Sequence, residues 1–397
     1  MKLSSLLSRF EEPATLKMAQ LGRALRAEGI AVTDLSLGEP DFDTPTHIKE
    51  AAKKAIDENY SHYTPVGGFL ELKEAICRKF KNDNNLDYLP ENIVASTGAK
   101  QCIANVVLAL VDAADEVIIP VPFWVTYSEI VKLAGGKVIT IATTAATDYK
   151  INADDLRKVI NEKTKLFMFS SPCNPSGALY SEKELAALVK VFEEFPNVWI
   201  LSDEIYEHIN YTGKHHTIAS FPGVKDRTIV VNGLSKSFAM TGWRLGYMAA
   251  IAPMAKACEK LQGQFTSAPN SITQRAAIAA LDGGLGSTIE MVSAFKKRRD
   301  RILELLAEID GIKFNTPASA FYVFPEVSAL FEKKTPNGEM IENADDLCMY
   351  LLNDAHVTTV SGSAFGLPEC IRISFSNSLE NIEAGMKKIK DAVAALV

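Results

Sequence analysis

The 397-residue sequence has no run approaching the ~20 apolar residues that span a bilayer. Its longest apolar stretches, such as 106–111, are the size of a core segment. The first ten residues mix serine and arginine among leucines. They lack the continuous apolar centre and small-residue cleavage site of a secretory leader. Paired cysteines are absent too: Cys77, Cys102, Cys173, Cys258, Cys348 and Cys370 are scattered, so buried thiols are expected rather than a zinc or disulfide framework. The six histidines include no HExxH spacing, and no metal is expected. Nor is there an excess of positive charge. Forty-two Lys and Arg against 49 Asp and Glu leave a net charge of −7, which gives no general attraction to nucleic acid or an anionic membrane. No GxGxxG opens a helix after a strand. Gly283-Gly-Leu-Gly286 has the glycines but no strand before it, which argues against a nicotinamide-dependent oxidoreductase. Low-complexity linkers and internal repeats are also missing. The expectation is a soluble, cytoplasmic protein.

What is present is a globular composition, 47% hydrophobic and 23% charged, with length for two or three domains of roughly 100–200 residues each. Strand-like and helix-like patterns alternate from about residue 45 to residue 280, the mark of βα units around a mostly parallel sheet. Thr44 or Thr46 is placed to cap a helix with Ile48, Ala51, Ala52, Ala55 and Ile56 on its apolar face, and Phe69, Leu72, Ile76 and Phe80 mark a second. Apolar runs at 93–95, 116–119, 165–169, 198–201 and 228–231 read as buried strands, with a helix over 100–111 between the first two. Beyond about 285 a long amphipathic helix carries Ile289, Val292, Ile302, Leu305, Leu306 and Ile309. Strand-like segments near 320–324 and 371–375 follow, then a final helix with Ile382, Met386, Ile389, Val393 and Leu396. The expected organisation is α/β: a large domain over 46–285, and a smaller α+β domain over 286–397 that residues 1–45 complete.

The chemistry-bearing stretch is Gly233-Leu-Ser-Lys236-Ser-Phe-Ala-Met-Thr-Gly242-Trp-Arg244-Leu-Gly246. It follows the strand at 228–231, so Lys236 lies just past a carboxyl end, where open α/β sheets place ligands. Gly233, Ser235 and Ala239 leave room there for a bulky group. A lysine whose ammonium form is disfavoured can form a Schiff base with an aldehyde. Arg244, if buried, needs an anion, and phosphate matches its planar donor fork. Asp203 ends the strand at 198–201, with Tyr206 three residues on. Asn174 lies in the rigid turn Ser171-Pro-Cys-Asn174-Pro175-Ser-Gly177. Ser96-Thr97-Gly98-Ala99-Lys100 opens a helix whose free N–H groups suit an anion. Trp124 follows the strand at 116–119, and Arg372 sits between Ile371 and Ile373, where an unpaired guanidinium is costly.

Together these segments resemble the class I and II aminotransferases, of the pyridoxal 5′-phosphate (PLP) fold-type I group, along the chain from Leu35 to Arg372. The resemblance implies that fold, with a mostly parallel mixed sheet in the large domain, and PLP as cofactor. It also implies the roles. Lys236 holds the aldehyde and shuttles the proton; Asp203 meets the pyridine nitrogen; Tyr206 and Asn174 meet the ring oxygen; Trp124 stacks on the ring. Gly98, Ala99, Lys100, Ser235 and Arg244 surround the phosphate. Tyr63, in Tyr63-Thr-Pro-Val-Gly-Gly, reaches the phosphate of a second copy, so a homodimer with shared sites is implied. Arg372 clamps the substrate α-carboxylate with help from Asn174, and Gly38 lines the substrate side.

The substrate is implied more finely. One subgroup of aspartate aminotransferases reads the distal carboxylate with a partner-subunit arginine, but Gly263 stands near that position here. The chain resembles the other subgroup, in which Lys100 and Thr15 take that role. L-Aspartate with 2-oxoglutarate is the expected pair, with a prephenate or aromatic aminotransferase as the alternative. A PLP-dependent C–S lyase on the same fold remains a rival. A PLP-binding regulator is less favoured, since residues 1–45 supply no helix-turn-helix. Gly233 departs from relatives that carry a phosphate-binding serine there.

Overall fold

A computed structural model describes residues 3–397. Helix α1 (Ala14–Ala27) and the short strand β1 (Thr33–Asp34) precede helices α2 (Thr46–Asp57) and α3 (Leu70–Asn84). Strand β2 (Ile93–Ser96) feeds helix α4 (Ala99–Leu110). Then come β3 (Glu116–Pro120), β4 (Lys137–Ile141), β5 (Thr164–Ser170), β6 (Trp199–Asp203), β7 (Thr228–Gly233) and β8 (Gly246–Ala249). One seven-stranded sheet holds β2 to β8 in the order β2-β8-β7-β6-β5-β3-β4. Only β8 runs against its neighbours, β2 and β7. The other six share one direction and deliver their carboxyl ends to one edge. Five of them, β2, β3, β5, β6 and β7, carry continuous apolar runs because both faces of the sheet are covered.

Four more short strands are β9 (Tyr322–Val323), β10 (Val357–Thr358), β11 (Val360–Ser361) and β12 (Ile371–Ser374). They form the antiparallel order β11-β12-β9 and a parallel pair of β1 with β10, with Thr33 opposite Val357. Around them a second core gathers Phe295, Ile302 and Leu306 of the helix Gly286–Ala307, and Ile382, Met386 and Ile389 of the helix Leu379–Ala394. Met18 of α1 and Leu35 belong to this same core.

Several local expectations fail for identifiable reasons. Neither Thr44 nor Thr46 caps α2: Pro45 holds the capping position, and the Thr44 hydroxyl donates instead to the Ala239 carbonyl at 2.7 Å. Ile56 and Ile289, expected on apolar faces, are 59% and 67% exposed. The strand expected at 320–324 shrinks to Tyr322–Val323. At the β2–α4 junction Gly98 has φ +87°, and a Cβ there would collide with the Arg244 guanidinium, so only glycine serves.

Candidate active site

The carboxyl ends of β2, β5, β6 and β7 open into a cavity of about 380 Å³, closed from the other side by α1, residues 36–39, Tyr322 and Arg372. Thr15, Gly38, Ala99, Lys100, Trp124, Asn174, Asp203, Tyr206, Ser235, Lys236, Arg244 and Arg372 all line it. Two expected residues do not. Gly98 lies beneath the Arg244 guanidinium, and Tyr63 stands fully exposed, away from its own chain's cavity.

Lys236 leaves β7 by three residues, and its Nζ donates to the Gly38 carbonyl at 2.5 Å. Burial is the largest influence on its amine and lowers its pKa to about 8; Arg372 and Arg244 push the same way, while Glu39 and Asp203 oppose. The same burial raises Asp203 to about 6. The Tyr127 hydroxyl donates to Asp203 Oδ2 at 2.6 Å and the Ile205 N–H to Oδ1 at 3.2 Å, both favouring the charged carboxylate. The Tyr206 and Tyr322 hydroxyls are 2.8 Å apart, and burial holds both phenols above their ordinary range.

Arg372 is 2% exposed. Its Nη1 donates to Asn174 Oδ1 at 3.1 Å and its Nη2 to the Ser36 carbonyl at 2.6 Å, while Nε has no partner among the described residues. The guanidinium lies 4.5 Å from the Tyr322 ring centroid and 5.1 Å from that of Phe365. No carboxylate pairs with it among the described residues, and burial pulls its pKa below the usual arginine value. A buried cation in that state needs an anion from outside the chain.

Arg244 is exposed, with φ 55°, and its Nη1 donates to the Thr241 carbonyl at 2.8 Å. Its guanidinium packs over Gly98, facing the start of α4, where the first N–H groups have no acceptor within the helix. With Ser235 these groups suit a phosphate. Lys100 sits with Nζ 5.0 Å from the Trp124 ring centroid, and desolvation together with Arg244 lowers its pKa. The Asn174–Pro175 peptide is cis. Gly233 is glycine for a local reason: a Cβ would come within 3.0 Å of Gly246 Cα and 3.1 Å of Ile205 Cδ1.

Behind Asp203 lies a buried polar cluster. Glu204 accepts from Ser202 and Thr217 and pairs with His215 at 2.9 Å, while Glu207 pairs with Lys79 and accepts from Asn84 and Asn232. Residues not anticipated from the sequence are Tyr127, Tyr322, Ser36, Glu39 and Arg23. Tyr127 had a signal, since it lies three residues after Trp124; the two rings meet edge to face at 5.6 Å.

The fold and cavity define an α/β enzyme that sets a desolvated amine beside a site for an anionic substrate. The family described as aminotransferase class I and II matches residues 30–389. An aspartate aminotransferase of Pinus pinaster is 41% identical over 399 residues, covering 99% of this chain and 81% of that protein. A probable aspartate/prephenate aminotransferase of Rhizobium leguminosarum bv. phaseoli is 43% identical and covers 98% of both chains. Among solved structures, the aspartate aminotransferase from Rhizobium meliloti superposes with a TM-score of 0.96 at 41% identity, covering 100% of both chains. This chain belongs to the class I and II aminotransferases.

Two titrations test the electrostatics. In cofactor-free protein, reductive methylation of Lys236 should accelerate through about pH 8 rather than near 10.5. The Tyr127→Phe variant loses a donor that favours the Asp203 carboxylate, so the carboxyl titration seen by NMR should move above about 6; a downward move would refute that role for the hydroxyl.

Proposed function

We propose that the chain is a PLP-dependent transaminase that moves an amino group between L-aspartate and 2-oxoglutarate. The observation that carries this reading is the buried Arg372, which faces the same cavity as Lys236 and has no carboxylate partner among the described residues. The residues fit the cofactor at each of its parts. Lys236 would meet the aldehyde, Asp203 the pyridine nitrogen, Tyr206 and Asn174 the ring oxygen, and Trp124 would cover the ring face. Ser235, Arg244 and the start of α4, at Gly98, Ala99 and Lys100, take the phosphate.

When bound, PLP supplies an electrophilic carbon and a ring that accepts the electron pair left on the substrate Cα. Arg372 and Asn174 fix the α-carboxylate, which sets the Cα–H bond relative to the ring. The Lys236 amine, which desolvation brings within reach of its neutral form, would serve as the base that takes the substrate's Cα proton and then as the acid that gives it back. Asp203, which Tyr127 helps to keep charged at neutral pH, would hold a proton on the pyridine nitrogen. Thr15 and Lys100 receive the distal carboxylate. The relatives' names support aspartate, and that of the Rhizobium leguminosarum protein makes prephenate the second acceptor to assay.

The reading includes a homodimer in which Tyr63 reaches the partner's phosphate site. Its full exposure, and the 66% exposure of Phe265, support a covering copy. A cytoplasmic address is supported by the six unpaired thiols. No helix among the described residues is long and apolar enough to cross a membrane.

The decisive assay is oxo-acid-dependent amino transfer from aspartate, compared with release of ammonia or thiol, which would indicate a lyase. Arg372→Ala should weaken every amino acid alike, by roughly 3–5 kcal/mol in kcat/KM, because it removes the partner of a desolvated carboxylate. Selective loss of aspartate alone would contradict that role. Thr15→Ala and Lys100→Ala should instead lower kcat/KM for dicarboxylic substrates more than for alanine or phenylalanine; an equal loss across substrates would sink the acidic-side-chain assignment.

A further inference from the structure

We infer that Arg23 is an additional specificity residue, engaged by the longer of two dicarboxylic substrates; this rests on the acidic-substrate reading above. An enzyme pairing aspartate with 2-oxoglutarate must hold a four-carbon and a five-carbon diacid by the same α-carboxylate clamp. The distal carboxylate of the longer one then lies one methylene further from Arg372. Thr15, Ala19 and Arg23 all line the cavity from α1. Their spacing of four puts them on one face of the helix. Arg23 stands about 12 Å along the axis from Thr15, at about 1.5 Å per residue. Helical side chains lean toward the amino end, so its long stem brings the guanidinium back toward Thr15. Ala19, between them, presents only a methyl group and leaves that path open.

Charge pairing separates Arg23 from its neighbour. Arg26, three residues on, is held by Asp34 at 2.8 Å. Arg23 has no carboxylate partner among the described residues and is exposed at the cavity mouth. Its fork of donors is therefore free for an anion beyond the reach of Lys100 and Thr15.

The test is calorimetric binding of succinate and glutarate, four- and five-carbon diacids, to PLP-loaded holoenzyme. Butyrate serves as the monocarboxylate control. For a partly exposed charge pair of up to about 1 kcal/mol, Arg23→Ala should lower the glutarate-to-succinate affinity ratio by about fivefold. Arg23→Lys should restore most of that ratio, and the KM ratio for 2-oxoglutarate and oxaloacetate should follow it. An unchanged ratio in the alanine variant, with diacid binding intact in the unmodified enzyme, overturns the role of Arg23 alone. If the unmodified enzyme binds neither diacid more tightly than butyrate, the acidic-substrate reading fails and this inference falls with it.

Discussion

A guanidinium taken almost wholly out of water, with no carboxylate among the described residues to neutralise it, is the constraint around which the molecule is organised. Arg372 is reached by Asn174 from the turn after β5, by the Ser36 carbonyl from the segment after β1, and by the Tyr322 ring from β9. Those three belong to three separate stretches of chain, each on or just past a strand of a different one of the three sheets. Each contributes a dipole or a π-face rather than a full charge, which leaves the cation poised instead of satisfied. The two cores therefore meet at a point that wants an anion.

Desolvation at the same cavity acts on two groups in opposite senses. It raises the Asp203 carboxyl and lowers the Lys236 amine, because in both it disfavours charge. The polar surroundings then restrain the first shift. Tyr127 and the Ile205 N–H keep Asp203 from climbing further. The result brings a carboxylate near 6 and an amine near 8 into one neighbourhood, so that around neutrality one is ionised and the other lies within reach of its neutral form.

Much of this was legible from residue order. The strands that carry Asp203, Lys236 and Gly98 are short apolar runs, and the chemical groups sit just past their ends. β4 was less visible because it lies at the sheet edge, with mixed exposure along its length. β8 starts only at the last residue of the lysine motif, Gly246, and runs the other way. What local pattern could not supply is the identity of distant partners. Tyr127 reaches Asp203 across 76 positions, and Ser36 reaches Arg372 across 336. The cap on α2 was misread for the same reason, since the Thr44 hydroxyl is drawn away by Ala239. Apolar sequence neighbours do not decide the burial of Arg244, which is exposed and packs its guanidinium over Gly98.

The pairing of β1 with β10 sets Thr33 against Val357. In chain order the seven-stranded sheet is complete at residue 249, whereas α1 and β1, which precede it, find the strand that anchors β1 more than 300 residues further on. The helix bearing Thr15 and Arg23 is thus tied to a strand that follows the whole large sheet in the chain, so the α1 side of the cavity closes through a contact of far longer sequence separation than any within the lysine side.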